Sequence, residues 1–286
     1  MEASGKRYIV HPSRSDEFTI WNITDTHIGN AGVAMGKLLA DIEAIRNDPY
    51  SFWVGGGDFA EYISPTDPRF DPDCVDQQLK PRDFGKLGVV LTEKVASIFA
   101  PIKHKCIGLV FGNHEAKYMK HNNQSDLHGH LCSMLRVPNL GNCGFFDLVF
   151  VRNSRIKTPT MSLTDAATSH TRASFRGVIH HGVSGATSHI GKAKSLERAM
   201  GIFDADFYML GHVHGQAIYP LVTIGANNDC TKIVERVRYG IISGTYLRTY
   251  TQGVCGYGEQ KMYAPTLLGA SFIRINPETR QMRAEA

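Results

Sequence analysis

The feature that most constrains the fold is a repeated unit in which a short apolar run ends in polar residues and a helical pattern follows. The runs Phe18–Ile23, Phe52–Val54 and Cys106–Phe111 are predicted to be buried strands. Apolar residues recur at helical spacing over Val33–Ile45 and over Leu87–Phe99. Because strands that alternate with helices are typical of βαβ connections, the first half is predicted to form a mixed or parallel sheet.

The pattern changes after about residue 145, where strands outnumber helices. One further helix is predicted over Lys192–Met200. The remaining predicted strands are Phe145–Val151, Phe175–His180, Phe207–Leu210, Ala217–Thr223, Val237–Ser243 and Leu268–Ile275. An α/β first half beside a β-rich second half predicts two sheets packed together, with helices outside.

Three polar stretches, Ser64–Asp83, Asn153–Arg172 and Gly225–Thr231, are predicted to be loops or insertions. The sequence contains no internal repeat and no credible linker, so residues 1–286 are predicted to form a single domain. Because binding residues concentrate in loops on a rigid scaffold, we expect insertions near 64–83, 153–172 and 225–263 to determine the substrate.

Composition excludes several classes of protein. The six cysteines are scattered without a C-x-x-C pair, which favours reduced thiols over a disulfide framework. The sequence lacks a recognisable secretory signal and an apolar run of roughly 20 residues, so we expect a cytoplasmic protein outside the membrane. The formal net charge of +4 is too small to predict nucleic-acid binding alone, but it is compatible with an anionic substrate.

Residues that can bind metal follow five of the predicted strands. In strand order they are Asp25 and His27, Asp58, Asn113 and His114, His180 and His181, and His212 and His214. Ligands of open α/β sheets bind outside the carboxyl ends of the strands, so these residues are predicted to share one rim. Each fragment alone is also typical of an ordinary turn. Five of them in series, each at the end of an apolar run, are hard to explain by turn chemistry.

Taken together, these fragments resemble the motif blocks of the calcineurin-like metallophosphoesterases. The blocks are Asp25-Thr26-His27, Gly57-Asp58, Gly112-Asn113-His114-Glu115, His180, and Gly211-His212-Val213-His214. The resemblance implies a four-layer α/β/β/α sandwich of two mixed sheets flanked by helices. It also implies that the chain is a hydrolase of phosphoric ester bonds that uses two divalent metal ions.

The resemblance further implies a role for each block. One ion would be bound by Asp25, His27, Asp58 and His214, and the other by Asp58, Asn113, His180 and His212. Asp58 would bridge the ions, a metal-bridging hydroxide would attack phosphorus, and His114 would protonate the leaving oxygen. Imidazole, carboxylate and amide ligands favour manganese and leave iron and zinc open.

Two assignments stay open at this point. His180 and His181 are adjacent, so on a strand they point to opposite faces and only one should be a ligand. The resemblance favours His180. Glu61 is predicted either to support a residue of the site, for example by accepting a hydrogen bond from His114, or to be a solvated acid. The block from Gly57 to Ile63 has no Arg-Gly, unlike that of the protein phosphatases of the family, which argues against a protein substrate.

The favoured substrate is a phosphodiester, either a nucleic acid or a nucleotide. A phosphomonoesterase and a non-catalytic metal-binding scaffold of the same fold are the alternatives. One set of residues is expected either to line the cleft or to form a solvated basic helix face: Lys117, Lys120, His121, His128 and His130. A second set is expected either to stack on a base or to pack in a long hairpin: Tyr246, Tyr250, Tyr257 and Tyr263.

Overall fold

A computed structural model describes residues 1–122, 126–165, 172–183, 188–254 and 256–286. The strands in these ranges are Glu2–His11 (β1), Phe18–Ile23 (β2), Ser51–Gly55 (β3), Cys106–Leu109 (β4), Cys143–Arg152 (β5), Thr160–Ser162 (β6), Arg172–His180 (β7), Phe207–Leu210 (β8), Ala217–Ala226 (β9), Ile233–Ile242 (β10), Ser271–Asn276 (β11) and Gln281–Glu285 (β12). The helices are Met35–Asn47 (α1), Leu87–Phe99 (α2), Asn113–His121 (α3), Leu127–Leu135 (α4), His189–Ile202 (α5) and Tyr257–Gln260 (α6).

The strands form two mixed sheets. The smaller sheet has the order β12-β11-β2-β3-β4, and its strands β2, β3 and β4 are parallel. The larger sheet has the order β6-β1-β5-β7-β8-β10-β9, with parallel pairs β1/β5, β7/β8 and β8/β10. In β2, β3, β4, β7 and β8 the carboxyl ends lead directly into the predicted motif blocks.

The core lies between the sheets and under the helices. Ile20 and Ile107 of the smaller sheet pack with Phe146 and Ile179 of the larger sheet, and all four are at most 1% exposed. Helices α1, α2 and α4 cover the outer side of the smaller sheet, and α5 covers the larger one. These layers confirm the predicted four-layer α/β/β/α sandwich.

Several elements were not predicted. Strand β1 was not predicted from the sequence because its first half, with Glu2, Ser4 and Lys6, is polar. The predicted loop 153–172 contains the short strand β6, and its residues 166–171 lie outside the described ranges. The segment 225–263 contains β10, which pairs with β8 in the larger sheet and overlaps the predicted strand Val237–Ser243. No helix in the described ranges is long and apolar enough to span a membrane.

Candidate metal centre

Side chains from five strand ends meet at one rim. Three groups have potential ligand atoms within 4.8 Å of one another: Asp25 with His27 and His214, His27 with Asp58 and His114, and Asp58 with His181 and His212. His27 and Asp58 each belong to two groups, so the three groups form one continuous cluster. The strand ends of both sheets contribute, as the motif order predicted.

The first part of the cluster surrounds Asp25. Its Oδ2 accepts hydrogen bonds from Thr24 Oγ1 (2.7 Å) and from the backbone N–H of His212 (2.9 Å). Its Oδ1 is buried and has no hydrogen-bond partner among the described residues, although His214 Nε2 lies 3.3 Å away and His27 Nε2 4.0 Å away. A buried carboxylate oxygen without a hydrogen bond is costly in a protein. With two imidazole nitrogens beside it, this oxygen fits a bound cation.

The second part of the cluster surrounds Asp58. Its Oδ2 lies 3.2 Å from His181 Nε2, and the same nitrogen lies 3.2 Å from Asn113 Oδ1. The backbone N–H of His114 donates to Asp58 Oδ1 at 2.8 Å. The rings of His181 and His212 are edge-on, with centroids 5.1 Å apart. Carboxylate, amide and imidazole donors are therefore gathered in the combination that suits divalent transition metals.

The histidine that lies beside Asp58 and His212 is His181, whereas the resemblance to the family favoured His180. His180 belongs to none of the three groups, and its Nδ1 accepts a hydrogen bond from the backbone N–H of Gly182 at 2.8 Å. The reason is strand alternation. Phe175 and Ile179 of β7 point between the sheets, whereas Val178 packs with the cluster under α5. His181 follows Ile179 on the inner side.

The sequence contained a signal for this choice. Arg172, Ser174 and Arg176 of β7 are exposed, and they alternate with the buried Ala173 and Phe175. A residue at an even position of this strand, such as His180, is therefore on the outer face. Reading the whole strand would have favoured the second histidine over the first.

Three imidazoles of the rim are held through Nδ1. His181 Nδ1 lies 2.7 Å from the carbonyl oxygen of Gly56, and His114 Nδ1 is hydrogen-bonded to the carbonyl oxygen of Glu61. A carbonyl can only accept, so Nδ1 carries the proton in both rings and Nε2 is left for a ligand. His27 Nδ1 lies 2.9 Å from Glu61 Oε2. The Glu61 carboxylate therefore supports His27, while the hydrogen bond with His114 is accepted by the backbone carbonyl of Glu61. Both contacts agree with a supporting role for Glu61 and not with a solvated acid.

Carboxylates and imidazoles shift one another's pKa across the rim. Burial alone would raise the pKa of Asp25, but the neighbouring His214 and His181 lower it to about 2. Burial likewise opposes the ionised form of Asp58, yet His181 and His114 hold its pKa well below the usual value. Burial disfavours the charged ring of His181, but Asp58 raises the pKa of that ring to about 10. The rim thus holds both carboxylates ionised, as metal ligands must be.

Glu115 organises the backbone behind the rim. It is 1% exposed, and its carboxylate accepts from the backbone N–H groups of Asp58 (3.0 Å), Phe59 (2.7 Å) and Gly112 (2.9 Å). It thereby ties the second motif block to the third. Glycine is required at Gly112, because a Cβ there would lie 2.1 Å from Asp58 Oδ1.

Backbone strain is concentrated at the same place. Eleven non-glycine residues in the described ranges have positive φ. Five of these are rim residues: Asp25, His27, Asp58, His212 and His214. A positive φ is unfavourable for residues with a Cβ and clusters at functional sites. The strain indicates that the positions of these side chains are fixed by the fold.

Comparisons with known proteins gave distant structural matches only. No family model and no curated protein matches the sequence. NAD nucleotidase (NadN) of Haemophilus influenzae is 12% identical over 95% of this chain, with a TM-score of 0.42, and this chain spans about half (49%) of its length. A metallophosphoesterase of Sphaerobacter thermophilus is 14% identical over 94% of this chain and 87% of its own, with a TM-score of 0.38. A predicted phosphoesterase of Streptococcus pneumoniae is 10% identical over 91% and 83%, with a TM-score of 0.31.

Two mixed sheets between helical layers, with the five motif blocks meeting at one rim, are features of this molecule itself. Both features agree with what the resemblance to the calcineurin-like metallophosphoesterases implies.

The rim opens into a cavity of about 900 Å³. Its walls come from the predicted insertion 64–83, from α2 and from residues 247–266. Of the side chains considered from the sequence, Lys117 and Tyr263 line the cavity. His128 and Tyr246 are buried elsewhere, and Tyr246 donates to Asp41 Oδ2 at 2.8 Å. The side chain of Tyr257 lies outside the described part of the chain.

Proposed function

We propose that this chain is a metal-dependent phosphoesterase that hydrolyses phosphate esters, with phosphodiesters such as nucleotides or nucleic acid favoured. The observation that carries the proposal is the state of Asp25. Within the part of the chain that the structure describes, its buried Oδ1 has no hydrogen bond, and it is flanked by two imidazole nitrogens that are themselves 3.1 Å apart. A divalent cation would satisfy all three atoms at once.

The ligands proposed for one ion are Asp25, His27, Asp58 and His214, and those for the other are Asp58, Asn113, His181 and His212. Manganese is the first choice because the donors are nitrogen and oxygen atoms only, and iron or zinc would also suit them. When bound, two such ions supply Lewis-acid polarisation of the phosphoryl group and activation of water. Asp58, shared between the two sets, would hold them together.

His114 supplies the proton in this proposal. Its Nδ1–H is held by the carbonyl of Glu61, so the ring presents Nε2 to the group formed with His27 and Asp58. Burial opposes the charged ring, but Asp58 and Glu61 raise its pKa above the usual value. An imidazole whose pKa is raised and that borders the cavity is suited to protonate the leaving oxygen.

The cavity supports an ester with a sizeable organic group. Ligand pockets of about 300–1,000 Å³ take nucleotide-sized molecules, and this cavity is near the upper end at about 900 Å³. The alternative of a non-catalytic scaffold is less well supported, because a scaffold has no use for a proton donor whose tautomer is fixed beside the cluster.

The test compares two synthetic substrates. The manganese-loaded protein should hydrolyse bis-p-nitrophenyl phosphate faster than p-nitrophenyl phosphate, and EDTA should abolish both activities. His114→Asn should keep its metal and lower kcat about 10²–10⁴-fold on a diester with a poor leaving group. The loss should be smaller with p-nitrophenol, which leaves without a proton. Activity that survives EDTA, or metal loss in His114→Asn, would contradict these roles.

A further inference from the structure

The five motif blocks contain no lysine or arginine, yet the cavity that they border contains a guanidinium. Arg69 lines this cavity together with Asp58 and His114. It belongs to segment 64–83, which the sequence predicts to be an insertion. The insertion therefore contributes a positive charge to a site whose own motif residues contribute carboxylates, imidazoles and one amide.

Asp67 holds this guanidinium in a fixed orientation. Arg69 Nε donates to Asp67 Oδ1 at 3.0 Å, and Nη2 donates to Oδ2 at 2.7 Å. The backbone N–H of Arg69 also donates to Oδ1, at 2.9 Å. Bidentate pairing of this kind restricts both the torsions and the plane of the guanidinium. Both side chains are only part-exposed, at 14% for Asp67 and 32% for Arg69.

The Nη1 edge of the guanidinium does not take part in the pairing with Asp67. In the described ranges no hydrogen bond involves Arg69 Nη1, so its two N–H groups are not used by the described residues. The charge of Arg69 is also close enough to affect the rim. Glu61 lines the same cavity, and after Asp67 the carboxylates of Glu61 and Asp58 contribute to raising the pKa of Arg69.

We propose that Arg69, held by Asp67, binds the phosphate group of the substrate through Nη1. The proposal rests on the proposed function, because it assumes that the ester phosphate is bound at the rim. A planar guanidinium recognises the non-bridging oxygens of a phosphate by directed hydrogen bonds, which an ammonium group cannot reproduce. Lys117 also lines the cavity, but it is exposed and in the described ranges no side chain holds it in place.

The test measures phosphate binding separately from catalysis. Inorganic phosphate is titrated calorimetrically into the manganese-loaded wild type and into Arg69→Ala, Arg69→Lys and Asp67→Asn. Arg82→Ala is the matched control, because Arg82 lies in the same segment, is 78% exposed and does not line the cavity. Metal content and thermal unfolding are recorded for every variant.

Arg69→Ala should weaken phosphate binding about 10- to 100-fold, as expected for loss of hydrogen bonds to a charged group. KM for bis-p-nitrophenyl phosphate should rise more than kcat falls, and metal content should not change. Arg69→Lys should bind phosphate little better than Arg69→Ala. The phosphate affinity of Asp67→Asn should lie between those of Arg69→Lys and wild type, and Arg82→Ala should match wild type.

Phosphate affinity within twofold of wild type in a metal-loaded, active Arg69→Ala protein would overturn the role of Arg69 and leave the proposed function intact. Equal weakening in Arg82→Ala would show a general charge effect and would also overturn it. A wild type that binds neither metal nor phosphate would overturn the proposed function, and the role of Arg69 with it.

Discussion

The metal rim and the cavity walls are built differently. The rim residues Asp25, His27, Asp58 and His181 are at most 2% exposed, and each follows a strand of one of the two sheets. The walls contributed by 64–83 and 247–266 contain turns, short 3₁₀ segments and one four-residue helix, and many of their side chains are exposed. The sheets therefore fix the geometry of the rim, and the prediction that the loops determine the substrate concerns the less regular walls.

The largest effect that would test this contrast concerns the adjacent histidines at the end of β7. His181→Ala should lose one of the two ions and lower kcat/KM at least about 10²-fold, because a metal ligand is removed. His180→Ala is the matched control and should keep both ions. Elemental analysis of both variants decides the point. Loss of metal in His180→Ala alone would mean that the strand register differs by one residue.

A smaller effect is expected at Glu61, which supports the rim without belonging to it. Its carboxylate accepts from His27 Nδ1 and so orients the ring toward Asp25 and His214. Glu61→Gln should weaken metal binding about 10- to 100-fold, as is typical when the partner of a ligand histidine is changed. Glu43→Gln, on the exposed surface of α1, is the control. Metal affinity equal to that of wild type would show that His27 does not depend on Glu61.

The smallest effect concerns stability in the helical layer behind the rim. His128 is 1% exposed, its Nε2–H donates to the carbonyl of Leu109 at 3.2 Å, and burial lowers its pKa to about 4. The folded protein therefore favours the neutral ring, whose pKa in the unfolded chain is about 6.5. Stability should fall as pH drops from 6.5 toward 4, because the unfolded chain binds the proton first.

Between pH 7 and pH 5, His128 should account for about 2 kcal/mol of the lost free energy of unfolding. Urea titrations in EDTA measure this quantity without a contribution from ions leaving the rim. In His128→Gln the loss over the same interval should be smaller by about that amount. The exposed His130→Gln on the same helix should behave like wild type. An unchanged pH dependence in His128→Gln would contradict the assignment.

The sequence was sufficient for the rim because both of its determinants are local. Buried strands are recognised in the sequence as apolar runs such as FTIWNI. The residues that follow such a run lie at the carboxyl end of the strand. The prediction that His180 joins the rim does not match the structure, because the choice between His180 and His181 depends on the face of the strand. That face is indicated by the exposed Arg172, Ser174 and Arg176, which alternate with buried residues. The resemblance to the family favoured His180 instead.

The walls could not be predicted for a physical reason. The position of Arg69 in the cavity depends on a turn closed by Asp67 and on the packing of segment 64–83 against α2 and residues 247–266. These contacts join parts of the chain that are far apart in sequence, and no periodic pattern encodes them. Strand β10 was placed partly inside an insertion because its first half, Ile233–Arg238, is largely exposed and resembles a surface hairpin.

The measurement that tests the central claim most directly is the number of ions bound per chain. Metal-free protein is titrated with Mn²⁺ by calorimetry, and the stoichiometry is checked by elemental analysis after desalting. The wild type should bind two ions, Asp58→Ala should bind none tightly because the shared carboxylate is lost, and the exposed Asp73→Ala should bind two. Two tightly bound ions in Asp58→Ala, or none in the wild type, would contradict the dinuclear account.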